Sequence, residues 1–412
     1  MVTVRQLSQA DTYFLVEERP GFPMVIGALM VVDTCGASPQ EAFCQLSEHV
    51  ASVLPATGLL KVLRDGREGM VWDNAEYYSS QHHIHAVREC LPFPSPVAGL
   101  IEGIAVEAMD LDRPPFAIWI IEDMGEDKAG LIIRVHHGFA DGAAFLSILQ
   151  RLTTSGGAAI SAGGDIGRPP WQLLDRPPGA GRAGRTDTAG SGRRASAEGR
   201  SYSLASFPFS ALHRVAGRWG GTVNVLLLTL LAEAIRGIFD TSGTPLPEHI
   251  VVRVAANMRD PEEDTPGNRI APIDLYLRTD ISSVTERFAS LQPALSGAAS
   301  AARAGGSATL LDVPGMPKLS FTGVLGWPTA RFLGGFPVLH NFPIPMLTPH
   351  RILSMGLRRC GSALDVGLMT RGTGGFGSED ILARLSSAVD QVLAAGEGPQ
   401  LRSTVDDQHQ FI

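Results

Sequence analysis

The stretch "LIIRVHHGFADGAAF", from Leu131 to Phe145, decides how the chain is interpreted. It starts with apolar residues typical of a buried strand, continues with two adjacent histidines and an Asp-Gly pair, and ends in a segment with helical spacing. We predict a strand that runs into the histidines, followed by a helix from Gly142 to Leu152. At least one imidazole should then lie at the end of a sheet, where α/β proteins commonly place their sites.

The composition indicates a globular protein with two domains or two large subdomains. The chain has 412 residues, of which 44% are hydrophobic and 18% charged, and this length exceeds what one compact core usually holds. The formal net charge of −8 argues against nucleic acid or an anionic membrane as a bulk partner.

The sequence favours a soluble, cytoplasmic protein. Its 4 cysteines are far apart and form no C-x-x-C pair, as expected for buried thiols in a reducing compartment. The polar start "MVTVRQLSQAD" lacks the apolar segment of a signal peptide. The longest apolar run, Val223 to Ile235, is too short to span a bilayer and predicts a buried helix. We expect at most peripheral contact with a membrane.

Strand and helix patterns alternate along the chain, which predicts an α/β fold with two layered halves. Ser38 should cap a helix that begins at Pro39, with Glu41 three residues after the cap as in a capping box, and Ser95 with Pro96 repeats this pattern for a second helix. Residues 154–203 are rich in Gly, Pro, Ser, Ala and Arg, without apolar periodicity, and predict a flexible crossover. The expected organisation is therefore an N-terminal unit, a linker and a C-terminal unit, at 1–153, 154–203 and 204–412.

The histidine pair suggests proton transfer, because imidazole titrates near neutral pH. His137, if it projects into a cavity, could deprotonate an alcohol or an amine that attacks an activated carbonyl. We expect His136 to hold the loop with a hydrogen bond directed inward, and Asp141 to pair with an arginine or cap the following helix. Gly142 would allow close approach of the backbone or of a ligand.

Other chemistries are not supported by the sequence. No H-E-x-x-H or Cys/His spacing accompanies the histidines, and adjacent residues at a strand end point in opposite directions, so no metal site is predicted. The chain also contains no G-x-S-x-G elbow, no phosphate-binding loop and no dinucleotide fingerprint.

The segment "HHGFADG" resembles the H-H-x-x-x-D-G signature of the CoA-dependent acyltransferase superfamily, which includes condensation domains and chloramphenicol acetyltransferase-like folds. More narrowly, the chain is similar to the bacterial wax ester synthase/diacylglycerol acyltransferase family. The opening "LSQADTYFLVEERPGFPMVIGALMVVD", the helix "TVNVLLLTLLAEAIRGIF" and the loop "GNRIAP" carry this wider resemblance. The chain departs from the family at Val225, where Asp is usual, and at "LSFTGVLGWP", where the family has Ser-Asn-Val-Pro-Gly-Pro.

The resemblance implies two chloramphenicol acetyltransferase-like subdomains with a tunnel between them and His137 near its middle. His137 would be the general base, His136 and Asp141 would hold the loop, and Asn224 would help to shape the site. Ser320 and Thr322 are the candidates for stabilising the oxyanion, although a structural role for both is equally compatible with the sequence. No metal or redox cofactor is implied.

The resemblance further implies an O-acyltransferase that moves an acyl group from acyl-CoA or an acyl carrier protein to the hydroxyl of a hydrophobic acceptor. Because the two departures weaken the link to storage lipids, we favour natural-product tailoring over lipid ester synthesis. Two alternatives stay open: acyl transfer to an amine, as in condensation, and a non-catalytic module that binds an acyl group or a carrier protein.

Overall fold

The computed structural model describes residues 4–76, 78–156, 199–260, 266–305, 317–372 and 377–395. Most of the predicted linker, residues 157–198, lies outside the described residues, so its flexibility stays a prediction. In chain order the strands are β1 (Arg5–Gln6), β2 (Val25–Asp33), β3 (Lys61–Gly66), β4 (Gly69–Asn74), β5 (Ile84–Val87), β6 (Phe116–Ile121), β7 (Lys128–His136), β8 (Arg200–Pro208), β9 (Val251–Asn257), β10 (Ile270–Tyr276), β11 (Lys318–Trp327), β12 (Phe332–Leu333), β13 (Phe336–Ile344), β14 (Leu353–Cys360) and β15 (Ala363–Arg371). The helices are α1 (Gln9–Val16), α2 (Pro39–Val53), α3 (Ser95–Ile104), α4 (Gly142–Leu152), α5 (Phe209–Arg218), α6 (Val223–Ser242), α7 (Val284–Arg303) and α8 (Ser378–Ala394).

Two large mixed sheets organise these elements. The first has the strand order β12-β13-β2-β7-β6-β5 and the second the order β10-β9-β11-β14-β15-β8, while β1, β4 and β3 form a small third sheet. The α/β prediction is therefore confirmed. As expected from the short connection between them, β6 and β7 are antiparallel neighbours.

The central strands of the first sheet are covered on both faces, which explains their almost continuous apolar sequence. In β2, Ala28 and Met30 pack in one core cluster with α2 and α4. The alternate residues Leu29 and Val31 pack in another cluster with α3. Because neither face of β2 meets water, its residues are almost all apolar and do not alternate with polar ones.

The second sheet has one apolar face and one face that is partly polar. Alternate residues of its central strands, such as Val252, Phe321 and Met355, pack against α5 to α8 in a single core cluster. The apolar run predicted as a buried helix is α6, most of whose residues are buried in that cluster. The residues between them on each strand point to the opposite face, toward the first sheet.

One segment of the second half joins the first sheet. Strand β13 pairs antiparallel with β2, for example through Phe342 and Leu29, and β12 pairs with β13. The same β13 also contacts β14 and β15. The first sheet is thus completed by residues far along the chain, and the sequence boundary between the halves is not a boundary in space. Strand β8, which begins at Arg200, already belongs to the second sheet within the segment expected to be linker.

Candidate active site

The two histidines lie where β7 ends and the chain turns into α4. His136 is the last residue of β7, and α4 begins at Gly142, with Asp141 as its N-cap. Oδ1 of Asp141 accepts a hydrogen bond from the backbone N–H of Ala144 at 2.9 Å. Such a cap satisfies one of the backbone donors that the first helical turn leaves without an internal partner. The strand, turn and helix expected from the sequence are all present.

His136 is fully buried and links the loop to the segment after α1. Its Nδ1 accepts a hydrogen bond from the backbone N–H of Gly138 at 3.0 Å, so the neutral ring carries its proton on Nε2. Nε2 lies 3.2 Å from Oε2 of Glu18 and donates to it. Burial raises the pKa of Glu18, but hydrogen bonds from His136 and from the Met24 backbone lower it to a net value below the ordinary one. The His136 ring thus fixes the loop through hydrogen bonds directed inward, which is the role expected from the sequence.

Asp141 joins the two halves of the molecule. In addition to capping α4, its Oδ2 lies 2.7 Å from Nη1 of Arg259 and accepts from the backbone N–H of Arg269 at 2.7 Å. The side chains of Asp141 and Arg259 are 0% and 4% exposed. The sequence indicated an arginine partner for Asp141 without showing which one, and the structure identifies it as Arg259.

His137 occupies the cavity side of the loop and is oriented by Asn268. Its Nδ1 lies 3.0 Å from Oδ1 of Asn268, and its ring stacks on Phe14 with 3.8 Å between ring centroids. Nδ2 of Asn268 donates to Oδ1 of Asp11 at 2.7 Å and to the backbone carbonyl of His137 at 2.6 Å. With both acceptors on the amide nitrogen, the amide oxygen must face His137, which requires the proton on Nδ1. Nε2 of His137 then carries the lone pair.

The environment keeps the His137 ring neutral. Burial lowers the pKa of His137, and the nearby Asp141 carboxylate and the hydrogen bond to Asn268 offset only part of this effect. A neutral imidazole with a fixed tautomer is the form that can accept a proton through Nε2. The geometry and the direction of the pKa shift therefore agree with a general base.

Asp11, at the start of the chain, fixes Asn268. Its carboxylate is fully buried, accepts from the backbone N–H of Asn268 at 3.0 Å and forms an ion pair with Arg5 at 2.5 Å. Asp11, Phe14 and Asn268 were not identified as site residues from the sequence. The segments around them, "LSQADTYF" and "GNRIAP", were recognised only as family resemblance, because nothing local shows that they meet at His137.

A cavity of about 460 Å³ separates the two sheets in front of His137. One wall comes from the first sheet and the helices beside it and is largely apolar, including Phe14, Ile26, Phe145 and Ile344. The opposite wall is the cavity-facing side of β9, β11 and β14. Toward α1 the cavity is bordered by exposed residues, among them Tyr13, which is 50% exposed. Toward the end of β14 the cavity is lined by the buried residues Phe145, Leu357 and Arg358, which form its enclosed end.

The other predicted site residues have different positions relative to this cavity. Gly142, Ser320 and Thr322 line it, and so does Ser354, which the sequence analysis did not identify. Ser354 is the register partner of Ser320 on the adjacent strand. Asn224 does not line the cavity; it is buried at the start of α6, against Gly323 of β11. Asn224 can therefore shape the site only through β11.

Neither a metal-binding cluster nor a single membrane-spanning helix occurs among the described residues. They contain no group of three or more His, Cys, Asp or Glu side chains that could hold a metal ion. No single helix within these ranges is long and apolar enough to cross a membrane. The pair α5 and α6 reaches the required length and composition together, with a bend of 92° between the two helices.

Comparison with known proteins identifies the group to which this arrangement is similar. Residues 7–158 match the wax ester synthase/diacylglycerol acyltransferase catalytic domain. A protein of Mycobacterium tuberculosis strain H37Rv, provisionally named a diacylglycerol O-acyltransferase, is 23% identical over 288 residues, which cover 59% of this chain and 61% of that protein. The match thus spans about three fifths of the length of this curated relative.

Solved structures extend the likeness to the rest of the chain. The wax ester synthase/diacylglycerol acyltransferase from Marinobacter aquaeolei VT8 superposes with a TM-score of 0.68 at 18% identity, covering 95% of this chain and 100% of that one. A mutant starter condensation domain of rhizomide synthetase, in complex with C8-CoA, gives a TM-score of 0.57 at 15% identity, covering 98% of each chain. The fold is therefore the chloramphenicol acetyltransferase-like one. The resemblance to the wax ester synthase/diacylglycerol acyltransferase family is confirmed, with residues 7–158 matching its catalytic domain.

Proposed function

We propose that the protein is an O-acyltransferase that moves an acyl group from a thioester to the hydroxyl of a hydrophobic acceptor. The observation that carries this proposal is the state of His137, a buried imidazole in a cavity, with Nδ1 bound to Asn268 Oδ1 and Nε2 left to accept a proton. The match of residues 7–158 to an acyltransferase catalytic domain supports the same chemistry.

In the proposed reaction, Nε2 of His137 removes the hydroxyl proton of the acceptor as its oxygen attacks the thioester carbonyl. A tetrahedral intermediate forms with negative charge on the former carbonyl oxygen. Collapse of this intermediate breaks the C–S bond, and the leaving thiolate takes the proton back from the imidazolium. Atoms and protons therefore balance without a metal or a redox cofactor in the scheme.

The negative charge of the intermediate requires hydrogen-bond donors. Ser320 and Thr322 are the donors we propose, and Ser354 joins them as the register partner of Ser320. Within the described chain these three hydroxyls line the cavity and make no hydrogen bond to protein. Each could thus turn its proton toward a substrate oxygen without breaking an internal contact.

The thioester is proposed to be acyl-CoA or an acyl carrier protein. A structural neighbour of this fold binds C8-CoA, which supports the first donor. The apolar wall with Phe14, Ile26 and Phe145 suits an aliphatic chain of the acyl group or the acceptor. We propose a cytoplasmic enzyme with a role in natural-product tailoring or in lipid ester synthesis.

The test is thiol release from acyl-CoA and acyl-pantetheine thioesters of increasing chain length, with alcohols as acceptors and the ester identified by mass spectrometry. Acyl-pantetheine carries the part of the donor that CoA and a carrier protein share. We expect His137→Ala to lower kcat by about 10²- to 10⁴-fold, as for loss of a general base. The control, His249→Ala, removes a half-exposed histidine whose ring packs at a tilt against Tyr276, and should leave kcat unchanged.

Two alternatives are resolved by the same assay. Products that form only when amines replace the alcohols would assign the protein to amide formation, which the likeness to a condensation domain makes a real competitor. Binding of thioesters without release from any donor would favour a non-catalytic module. Equal activity of wild type and His137→Ala would overturn the assignment of His137 as the base.

A further inference from the structure

The cavity has an unbalanced charge. Three arginines line it, Arg253, Arg351 and Arg358, whereas no described lining residue is an aspartate or glutamate. Positive charge inside a largely apolar cavity favours a negatively charged ligand, because interactions there are weakly screened. A neutral alcohol and a neutral fatty acyl chain would make no use of this positive charge.

The three arginines differ in how the protein compensates them. Arg253 forms a bidentate ion pair with Asp274, with Nε and Nη2 each 2.6 Å from a carboxylate oxygen. Arg351, at the open end, is partly exposed and donates from Nη1 to Thr348 Oγ1 at 3.0 Å. Arg358 is only 3% exposed, whereas Arg351 is partly exposed as a residue, although its Nε is also buried without a hydrogen-bond acceptor.

Within the described residues, the guanidinium of Arg358 makes one hydrogen bond, from Nη1 to Oδ1 of Asn341 at 3.0 Å. Its Nε is buried without an acceptor. The remaining contact is with the ring of Phe145, whose centroid lies 5.6 Å from Cζ. Buried charged donors are normally paired and hydrogen-bonded, because their desolvation is otherwise uncompensated.

Arg287 is a buried arginine of the same protein whose charge is compensated by several hydrogen-bond acceptors. It is 0% exposed; its Nε donates to the carbonyls of Arg278 and Ile281, and its Nη1 pairs with Glu233 at 3.0 Å. Arg287 lies in the core of the second half and does not line the cavity. Arg358 is similarly buried but lacks this set of acceptors, and it faces the cavity.

The carboxylate opposite Arg358 is already used. Asp365 is the register partner of Arg358 on β15, but its oxygens accept from Nδ1 of His340 at 3.0 Å and from the backbone N–H of Asn341 at 2.6 Å. No ion pair joins Asp365 to Arg358 among the described residues. Burial lowers the pKa of Arg358 to about 10, and the nearby Asp365 carboxylate offsets part of this effect, so the guanidinium remains charged at neutral pH.

We propose that Arg358 binds a carboxylate at the far end of a substrate that reaches past His137 into the enclosed end of the cavity. Nη2 of Arg358 makes no hydrogen bond within the described residues, so it can donate to a carboxylate oxygen, while Nη1 is held by Asn341. The proposal rests on the proposed acyl transfer and narrows its substrate class. The carboxylate belongs either to an acyl group derived from a dicarboxylic acid or to a hydroxy acid acceptor.

The first test uses wild-type protein and measures binding calorimetrically, so that it does not depend on turnover. Pantetheine thioesters of dicarboxylic acids of increasing length are compared with the same compounds methylated at the far carboxyl group. A second series compares ω-hydroxy acids with their methyl esters. We expect the free acid to bind about tenfold to a hundredfold tighter in one series, as for a charge-assisted hydrogen bond. The series that shows the preference identifies which substrate carries the carboxylate.

Two matched variants then show which arginine contacts the carboxylate. Arg358→Gln should abolish the preference for the free acid, whereas Arg351→Gln, which removes the cavity arginine at the open end, should retain it. Equal binding of acid and methyl ester to wild type would overturn the inference, even if Arg358→Gln failed to fold. Loss of the preference in Arg351→Gln alone would place the anion at the open end and also overturn it.

The same reagents separate this inference from the proposed function. Turnover of neutral thioesters and alcohols without any preference for acids would retain the acyltransferase and reject the carboxylate site. Acid-selective binding that depends on Arg358, without ester formation, would retain the carboxylate site and reject the acyltransferase.

Discussion

The first half of the chain supplies the imidazole of the site. The second half supplies the groups that orient this imidazole and the arginines that line the cavity. His136, His137 and Asp141 lie close together in the sequence, between the end of β7 and the start of α4. Their partners Arg259 and Asn268 arrive from the other half. The reactive group is therefore encoded by a short local pattern, but its tautomer and surroundings depend on how the two halves pack.

The largest effect is expected from breaking the ion pair that joins the halves. Asp141→Asn would leave the buried Arg259 without its carboxylate and would weaken acceptance from Arg269. We expect a loss of about 3–5 kcal/mol in the free energy of unfolding, the usual result of removing one partner of a buried pair. Urea denaturation followed by circular dichroism measures it.

The matched control is Asp280→Asn, which removes the partner of Arg278 from an ion pair within the second half. The side chain of Asp280 is 50% exposed, so the unfolding midpoint should change little. Equal losses for the two variants would mean that the contact between the halves contributes no more than an ordinary surface pair.

A smaller effect is expected from removing the group that orients His137. Asn268→Ala should lower kcat by about 100-fold with little change in KM for the thioester, since the base is kept but its tautomer and position are no longer fixed. Steady-state kinetics measure the two constants. The ¹⁵N chemical shifts of His137 should show the proton on Nδ1 in wild type and a mixture of tautomers in the variant.

Two results would contradict this orienting role. A loss of kcat as large as that of His137→Ala would mean that Asn268 does more than orient the ring. An unchanged tautomer with normal kcat would mean that the first half positions the base without help from the second.

The smallest expected effect is on the pH dependence of activity. The unprotonated ring is the active form, and burial lowers the pKa of His137 below its ordinary value of 6.5. We therefore expect the acid limb of kcat/KM to be centred below pH 6.5. An acid limb centred above 6.5 would show that the charged form is favoured instead.

The lowered pKa of His137 also makes the free energy of unfolding depend on pH. In the unfolded chain the His137 ring is protonated near its ordinary pKa, whereas in the folded protein it is protonated only at a lower pH. The contribution of His137 to stability is thus present above pH 6.5 and is lost as the pH falls below that value.

Local sequence signals predicted the parts of the site that lie within one strand and one helix. The turn after β7, the cap at Asp141 and the helix from Gly142 follow from apolar spacing and cap chemistry. Ser38 likewise forms the predicted capping box with Glu41. Ser95 does not cap its helix: it is the first residue of α3, and the N-cap is Pro94, which makes no side-chain cap.

The contacts across the halves could not be predicted from the sequence. An arginine partner for Asp141 was expected because a buried carboxylate requires one, but many arginines in the chain could have filled that position. Asn224 was expected at the site, yet the sequence does not show that Gly323 lets it pack behind β11. The return of β13 to the first sheet was not predicted either, since its apolar residues are equally compatible with either sheet.

That return has a consequence during protein synthesis. Ala28 of β2 pairs with Pro343 of β13, so one edge of β2 stays without its hydrogen-bonding neighbour until nearly the whole chain has left the ribosome. An unpaired apolar strand edge can associate with other chains. The nascent first half should therefore depend on chaperones, and expression of residues 1–153 alone should yield aggregates rather than a stable domain.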